Sequence, residues 1–407
     1  MKRITFKQFL FVLPLLIILA VFSVFPIISS FVYTFFDYHT TDPQRAQLFL
    51  SNSFNEPLFH QDGVFLEFFL NDELYAAPTD EGVADIRAIQ ASIAAFIAPF
   101  QNGSVRRIGE TEATEIYNFI TTIERGLTAF YARYPDVDFI RREDTFTLLD
   151  NMHRRFIEPN FIGFDNYATL VRDARFWSAL RITMVFTVIS VFLELVLGLA
   201  LALIMNKAIR GIGGVRTVAL IPWAIPTAVA ALMWSYLYDG SNGIVAHIFS
   251  EIGLIESPTS MLLTASGAMA SAILADVWKT TPYMALLLLA GLQIIDSGLY
   301  ESAAIDGSGR INTFRKITLP LMKSSILVAL LFRMLDAFRV YDLIAVLTGG
   351  GPGGATESLS IYAHRIMIGM NDFGYGSTVV VAMFVCVALI AFLFVKILGA
   401  ELLKNED

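Results

Sequence analysis

The chain has 407 residues, of which 55% are hydrophobic and only 16% charged, and it carries a formal net charge of −8 at pH 7. A soluble globular protein is about a quarter charged, so this composition excludes an ordinary soluble enzyme and points to the membrane, as does the mean hydropathy of +0.60. The single cysteine, Cys386, excludes an intrachain disulfide, and the lack of a basic patch interleaved with aromatics speaks against nucleic-acid binding.

The first apolar run is Phe9–Phe36, preceded by Lys2, Arg3 and Lys7. A cleaved signal peptide has an apolar core of about 7–15 residues and a small-residue cleavage site. This run is much longer and ends Phe35-Phe36-Asp37, so residues 1–36 read as a cytoplasmic stub and a retained membrane helix. Pro14 and Pro26 are placed to bend it.

From Asp37 to Asp173 charges become dense and no run reaches the roughly 20 apolar residues that a span needs. The positive-inside rule puts residues 37–173 outside, and long outside segments tolerate Arg141, Arg142, Arg154 and Arg155. Apolar periodicity predicts helices over Val83–Phe100 and Glu112–Tyr131, so this is a small, helix-rich extracytoplasmic domain that packs a core without disulfides.

Residues 174–400 hold five further apolar runs: Phe176–Met205, Val215–Tyr238, Met261–Ile294, Leu321–Leu347 and Tyr375–Leu398. Lys207, Arg210 and Arg216 mark one inside loop, and the acidic loops Asp239–Ser260 and Thr348–Gly374 belong outside. The tail, residues 401–407, returns inside. The expected fold is therefore all-α and integral to the membrane, with six transmembrane helices and both termini cytoplasmic.

Charged residues inside spans must face protein or water. Leu321–Leu347 carries Arg333, Asp336, Arg339 and Asp342, spaced by three with alternating sign, with Tyr341 beside the last. Such a ladder neutralises itself along one helix face. Two readings stay open, a polar stripe lining a solute pathway and a brace against neighbouring helices. Asp276 and Lys279, just before the kink expected at Pro282, read as structural, and Glu194, which has no local partner, reads as an interhelical contact. There is no nucleotide-binding loop, no zinc-protease helix, no nucleophile elbow and no histidine grouping with ligand spacing, so no catalytic or metal site is expected. The glycine-rich stretch Thr348–Glu357 lacks the Lys-Ser/Thr of a phosphate loop and reads as a tight connection.

The second inside loop is a polar island, residues 300–320, carrying Arg310, Arg315 and Lys316, with Lys323 just beyond it. Glu301-Ser302-Ala303, then Asp306-Gly307, then Ile317-x-Leu319-Pro320 resemble the EAA signature of ABC importer permeases, EAA-x3-G-x9-I-x-LP, with Ser302 as the one departure. Phe176–Leu180, Ile221–Pro226, Ala329–Phe332 and Asp342–Glu357 also resemble the carbohydrate-type permeases of the maltose transporter membrane-subunit family. The likeness covers about residue 161 to the end. The insert before it resembles nothing, although maltose-type subunits have an external domain at the same relative place.

The resemblance implies a permease subunit of an importer in the bacterial or archaeal inner membrane. Its partners would be a second permease, two ATPase subunits and an extracytoplasmic sugar-binding protein. ATP and magnesium would sit on the ATPases, and this chain would bind no cofactor. Glu301, Ser302, Ala303, Asp306, Gly307, Ile317, Leu319 and Pro320 would form the loop that couples to an ATPase, with Glu301 near a helix start and Gly307 ending the helix. By residue type and position, Asp336, Arg339, Tyr341, Asp342, Tyr362 and His364 are the candidates for the substrate pathway. The sugar is left open between a di- or oligosaccharide and a sugar phosphate. An ion-coupled secondary transporter or channel is the alternative reading.

Overall fold

The computed structural model describes residues 6–207 and 211–404; the expected inside markers Lys2, Arg3 and Arg210 and tail residues 405–407 lie outside the described residues. Contacts divide the chain into two compact units, Phe35–Gly163 and the remainder, Met1–Thr34 with Phe164–Asp407. Helix α1 (Leu10–Tyr33) opens the larger unit. Pro26 has no N–H to give the preceding turn, and that turn widens into a π-helical segment at Ala20–Val24. None of the most apolar window of α1 is buried, so its Leu, Ile and Phe side chains need lipid or another subunit around them.

The smaller unit packs four helices on a three-stranded antiparallel sheet. Helix α2 (Glu56–Ala76) starts where the Asn55 side chain accepts the Leu58 N–H at 3.1 Å, and α3 (Asp80–Ile97) where Thr79 accepts that of Gly82 at 3.1 Å. Helix α4 (Glu110–Arg133) buries Ile116, Ile120, Ile123, Leu127 and Phe130 along one face, and α5 (Arg142–His153) buries Leu149 and Met152. Strand β1 (Ser53–Asn55) pairs with both β2 (Val105–Arg107) and β3 (Phe156–Ile157). Periodicity reveals α3 and α4 in the sequence. It does not reveal α2, where the glycine and acidic side chains Asp62, Gly63 and Glu73 point inward among the apolar ones.

Those buried charges are tied down. Arg155 clamps Asp62 through two bonds of 2.6 and 3.1 Å, and Arg106 bridges Glu56 and Glu112. Glu73 differs: its Oε1 accepts the Arg141 amide at 2.8 Å, while its buried Oε2 has no hydrogen-bond partner among the described residues. Burial pushes the Glu73 carboxyl above its usual range, against the pull of that amide and of Tyr131. A raised folded pKa means a contribution to stability that is fully present below the ordinary value of 4.5 and is lost as pH rises through the folded value. Glu73→Gln, which does not titrate, is therefore expected to flatten the rise in protease sensitivity of the 35–163 unit above pH 4.5. Parallel pH profiles for variant and parent would contradict this.

Helix α6 (Asp165–Arg172) lies inside the segment read from sequence as insert, yet it belongs to the larger unit. Its Leu170 is buried in one cluster with Phe176, Phe338, Tyr362 and Val379, so contacts end the insert at Gly163 rather than Asp173. Helices α7 (Ala174–Met205) and α10 (Ala265–Leu292) form the centre of the bundle. They approach closely at Gly198, where an added Cβ would lie 2.7 Å from Met284 Cγ and 3.2 Å from the Ala285 nitrogen. Between them in sequence, α8 (Ile212–Ala224) and α9 (Thr227–Leu237) make an 87° bend. Pro226, which cannot donate to the helix ladder, sits at the corner with Ile225 in extended backbone.

Helix α11 (Ser297–Ile305) follows, and α12 (Arg310–Leu321) joins α13 (Lys323–Ala337) at a 66° bend. The apolar run read as a single span to Leu347 stops at Ala337 and restarts as α14 (Asp342–Leu347), because Phe338–Tyr341 leave the helix. Helices α15 (Leu359–His364) and α16 (Phe373–Lys404) complete the chain. Among the described residues five helices are long and apolar enough to cross a membrane, or up to seven if each bent pair is one span; one of the five, Asp80–Phe100, lies in the smaller unit. There Ile86, Ile93 and Ile97 enter that unit's own core.

Candidate functional site

The breaks in α8–α9 and α13–α14 open a cavity of about 260 Å³ against α10. Asp336, Arg339, Tyr341 and Asp342 line it, together with Trp223, Asp276, Lys279 and Thr280. Non-helical backbone inside a bundle is tolerated where it borders a polar cavity, and here it does.

Beneath the cavity lies Arg333, 1% exposed. Its Nε and Nη2 donate to Glu194 of α7 at 2.5 and 2.7 Å, Nη2 also to Asp276 of α10 at 3.2 Å, and Nη1 to Asp336 at 2.5 Å. Thr280 adds a 2.6 Å bond to Glu194. One guanidinium thus joins three helices, and Glu194 is the interhelical contact expected of it. The self-neutralising ladder is not formed. Only the Arg333–Asp336 step survives, because the helix ends before Arg339, whose Nε turns back to the Leu335 carbonyl at 2.9 Å. Asp276 pairs with Arg333, and Lys279 donates to the Trp223 carbonyl at 3.3 Å.

Trp223 stacks on Tyr283, with centroids 5.6 Å apart and planes at 10°. The cavity therefore combines carboxylates, cations and hydroxyls with a large aromatic face. Trp223 and Thr280 are not among the pathway candidates that residue type and position suggest. Asp276, Lys279, Thr280 and Tyr283 follow i, i+3, i+4, i+7 spacing on α10, and that polar face within an apolar run is the signal that finds them.

Tyr362 and His364, expected with the pathway residues, do not line the cavity. Tyr362 donates to Asp173, which also accepts the Tyr375 hydroxyl at 2.6 Å, while His364 packs its ring 5.1 Å from that of Tyr341. Burial alone would raise the Asp173 carboxyl, but these hydroxyls and the helix amides hold it below its usual range. Nearby, Glu357 accepts Arg175 through two bonds of 2.8 Å and Arg365 at 2.5 Å. Burial works to raise it as well, and the two guanidiniums prevail and lower it. Gly349, Gly350, Gly353 and Gly354 take positive φ in the loop leading to Glu357, which makes the tight connection expected there.

The polar island folds as a helical hairpin. Asp296 caps α11 by accepting the Gly298 N–H at 2.7 Å. Glu301 is thus past the first turn, and Asp296 instead serves the helix N-terminus. Gly307 (φ +72°) ends the helix, where the Ser308 N–H returns to the Ala303 carbonyl at 2.9 Å. Ala303 is buried, whereas Glu301, Ser302 and Asp306 are exposed. Ile317 is half-buried, and Leu319 and Pro320 are exposed at the end of α12. Pro320 follows a π-turn at Phe314–Thr318, which absorbs its missing N–H, and α13 starts only after the bend.

A bundle of bent apolar helices around a polar cavity, with a basic hairpin at one end, defines a membrane-embedded transport subunit. Residues 194–404 match the family described as binding-protein-dependent transport system inner membrane component, and the chain belongs to that family. It is a non-catalytic membrane component of an ABC importer. It is 45% identical over 240 residues to the trehalose/maltose transport system permease protein MalF of Thermococcus litoralis, covering 59% of this chain and 80% of that one. It is 43% identical over 240 residues to the trehalose transport system permease protein SugA of Mycobacterium tuberculosis, covering 59% and 76%. Among solved structures, a bacterial ABC transporter involved in the import of the acidic polysaccharide alginate shares the fold, with a TM-score of 0.53 at 24% identity over 59% of this chain and 84% of that one.

Proposed function

We propose that the chain pairs with a second permease to form the pathway for a sugar delivered by an extracytoplasmic binding protein. The observation that carries this reading is the cavity in which the Trp223–Tyr283 stack stands beside Asp336, Arg339 and Lys279. A sugar offers hydroxyls that need both donors and acceptors, and a pyranose face that packs on an aromatic ring. The substrates named for the two relatives favour a disaccharide within the wider class of di- and oligosaccharides and sugar phosphates.

In this reading six helices span the inner membrane, with both termini cytoplasmic and residues 37–163 outside, placed to dock the binding protein. Two ATPase subunits bind below, carrying ATP and magnesium, and one of them receives α11 with Glu301, Ser302, Asp306 and Gly307. Closure of the ATPases moves the hairpin and tilts the spans, exposing the cavity to each side in turn.

The test is uptake of labelled trehalose and maltose into vesicles holding the complete transporter and its binding protein. Trp223→Ala should lower uptake about tenfold, the equivalent of some 1.4 kcal/mol of lost ring contact, with the chain still in the membrane. Uptake that needs no ATP, or that is indifferent to this substitution, contradicts the reading.

A further inference from the structure

A second cavity, of about 670 Å³, lies between the last turns of α7 and α10 and the hairpin of α11 and α12. It joins two kinds of surface. Leu203, Leu292 and Phe314 supply half-buried or buried apolar walls, while Lys207 and Arg310 are exposed at its rim. Among the described residues neither cation forms a salt bridge, in contrast to Arg175, Arg333 and Arg365 of the same unit. Leu203 and Leu292 belong to the ends of helices long and apolar enough to cross a membrane, so the cavity sits where acyl chains give way to headgroups.

We propose that this cavity is a binding site for an anionic phospholipid, with the phosphate between Lys207 and Arg310 and the start of an acyl chain against Leu203, Leu292 and Phe314. Charge complementarity selects the headgroup, because a basic pocket at the ends of membrane helices attracts the anionic lipids of the cytoplasmic leaflet. The apolar walls favour a lipid over an acidic segment of an ATPase, which would leave them uncovered. A lipid held here touches Ser308 and Tyr300, and so supports the hairpin from its membrane side. The inference rests on insertion in a membrane and is independent of which solute is carried.

The experiment is native mass spectrometry of the delipidated full chain titrated with phosphatidylglycerol or phosphatidylcholine. Each cation near an anionic headgroup contributes roughly fivefold, so phosphatidylglycerol should bind about thirtyfold more tightly. The double variant Lys207→Gln/Arg310→Gln should reduce it to the phosphatidylcholine level, whereas Lys396→Gln on α16 should leave the preference intact. If the double variant does not fold, Leu203→Trp, which fills the cavity from its apolar side, should produce the same loss. Equal binding of the two lipids, or a preference that survives these variants, overturns the proposal. Loss of the preference on adding inorganic phosphate identifies a free-anion site, and protection of the two cations only when an ATPase subunit is added identifies a protein contact; either also overturns it.

Discussion

Replacing Arg333 by methionine is expected to destabilise the chain by about 3–5 kcal/mol, the largest effect of any single substitution in the bundle. The guanidinium is 1% exposed and its side chain contacts Glu194, Asp276 and Asp336 on three helices. Methionine keeps much of the volume and removes the charge. Glu194, fully buried, then faces Asp276 with only the Thr280 hydroxyl to satisfy it. An uncompensated buried carboxylate is what makes breaking such a pair costly, whereas replacing both partners is much milder. Arg333→Met with Glu194→Gln should therefore recover more than half of the lost stability, and the cycle isolates the coupling between the two. Thermal unfolding of the detergent-solubilised chain, followed by the loss of its monodisperse elution, measures both. A single variant as stable as the parent would show that the cluster is dispensable to the fold. A double variant no better than the single would show that Arg333 acts through packing alone.

Much of this organisation is legible in the sequence. The apolar runs place α7 to within two residues and find α10 and α16 with ends that differ by up to four and six residues, because long helices in a membrane declare themselves by composition alone. Breaks are less visible. Pro226 announces the corner between α8 and α9, but nothing in Phe338–Tyr341 announces that α13 stops, since no proline or glycine stands there. That break is what carries Arg339 and Asp342 off the helix face they share on paper. The partner of Arg333 is equally hidden, because Glu194 lies 139 residues away and pattern reasoning pairs charges that are near in sequence. Residue type alone groups Tyr362 with the pathway; only the fold reveals Asp173, capping α7, as its partner. In the smaller unit, the inward-facing Asp62 and Glu73 break the apolar period of α2 and conceal a 21-residue helix.

Glu301→Lys is expected to abolish solute uptake, with a loss of at least tenfold, while the chain still inserts and keeps its abundance. The argument starts from the way α11 is held. Ala303 is buried and Tyr300 half-buried, its hydroxyl 3.2 Å from that of Thr318, so this face is fixed to the hairpin. Glu301 and Ile305, four residues apart, share the opposite surface, with Ile305 86% exposed. An exposed isoleucine beside a carboxylate that makes no salt bridge suits an apolar cleft with a cation at its edge, which is the proposed ATPase contact. Lysine at 301 removes a charge-assisted bond of about 1.5–3 kcal/mol and sets two cations against each other. Within the chain nothing is disturbed, because Glu301 makes no salt bridge among the described residues and is exposed. Gly307→Val acts differently: it leaves the charge in place but demands a positive φ from a β-branched residue, so it should misplace the hairpin and lower both assembly and uptake. Measuring ATPase activity, co-purification and uptake together separates the two effects. Full uptake by the Glu301→Lys variant would remove α11 from the coupling pathway, and loss of the chain from the membrane would recast Glu301 as a structural residue.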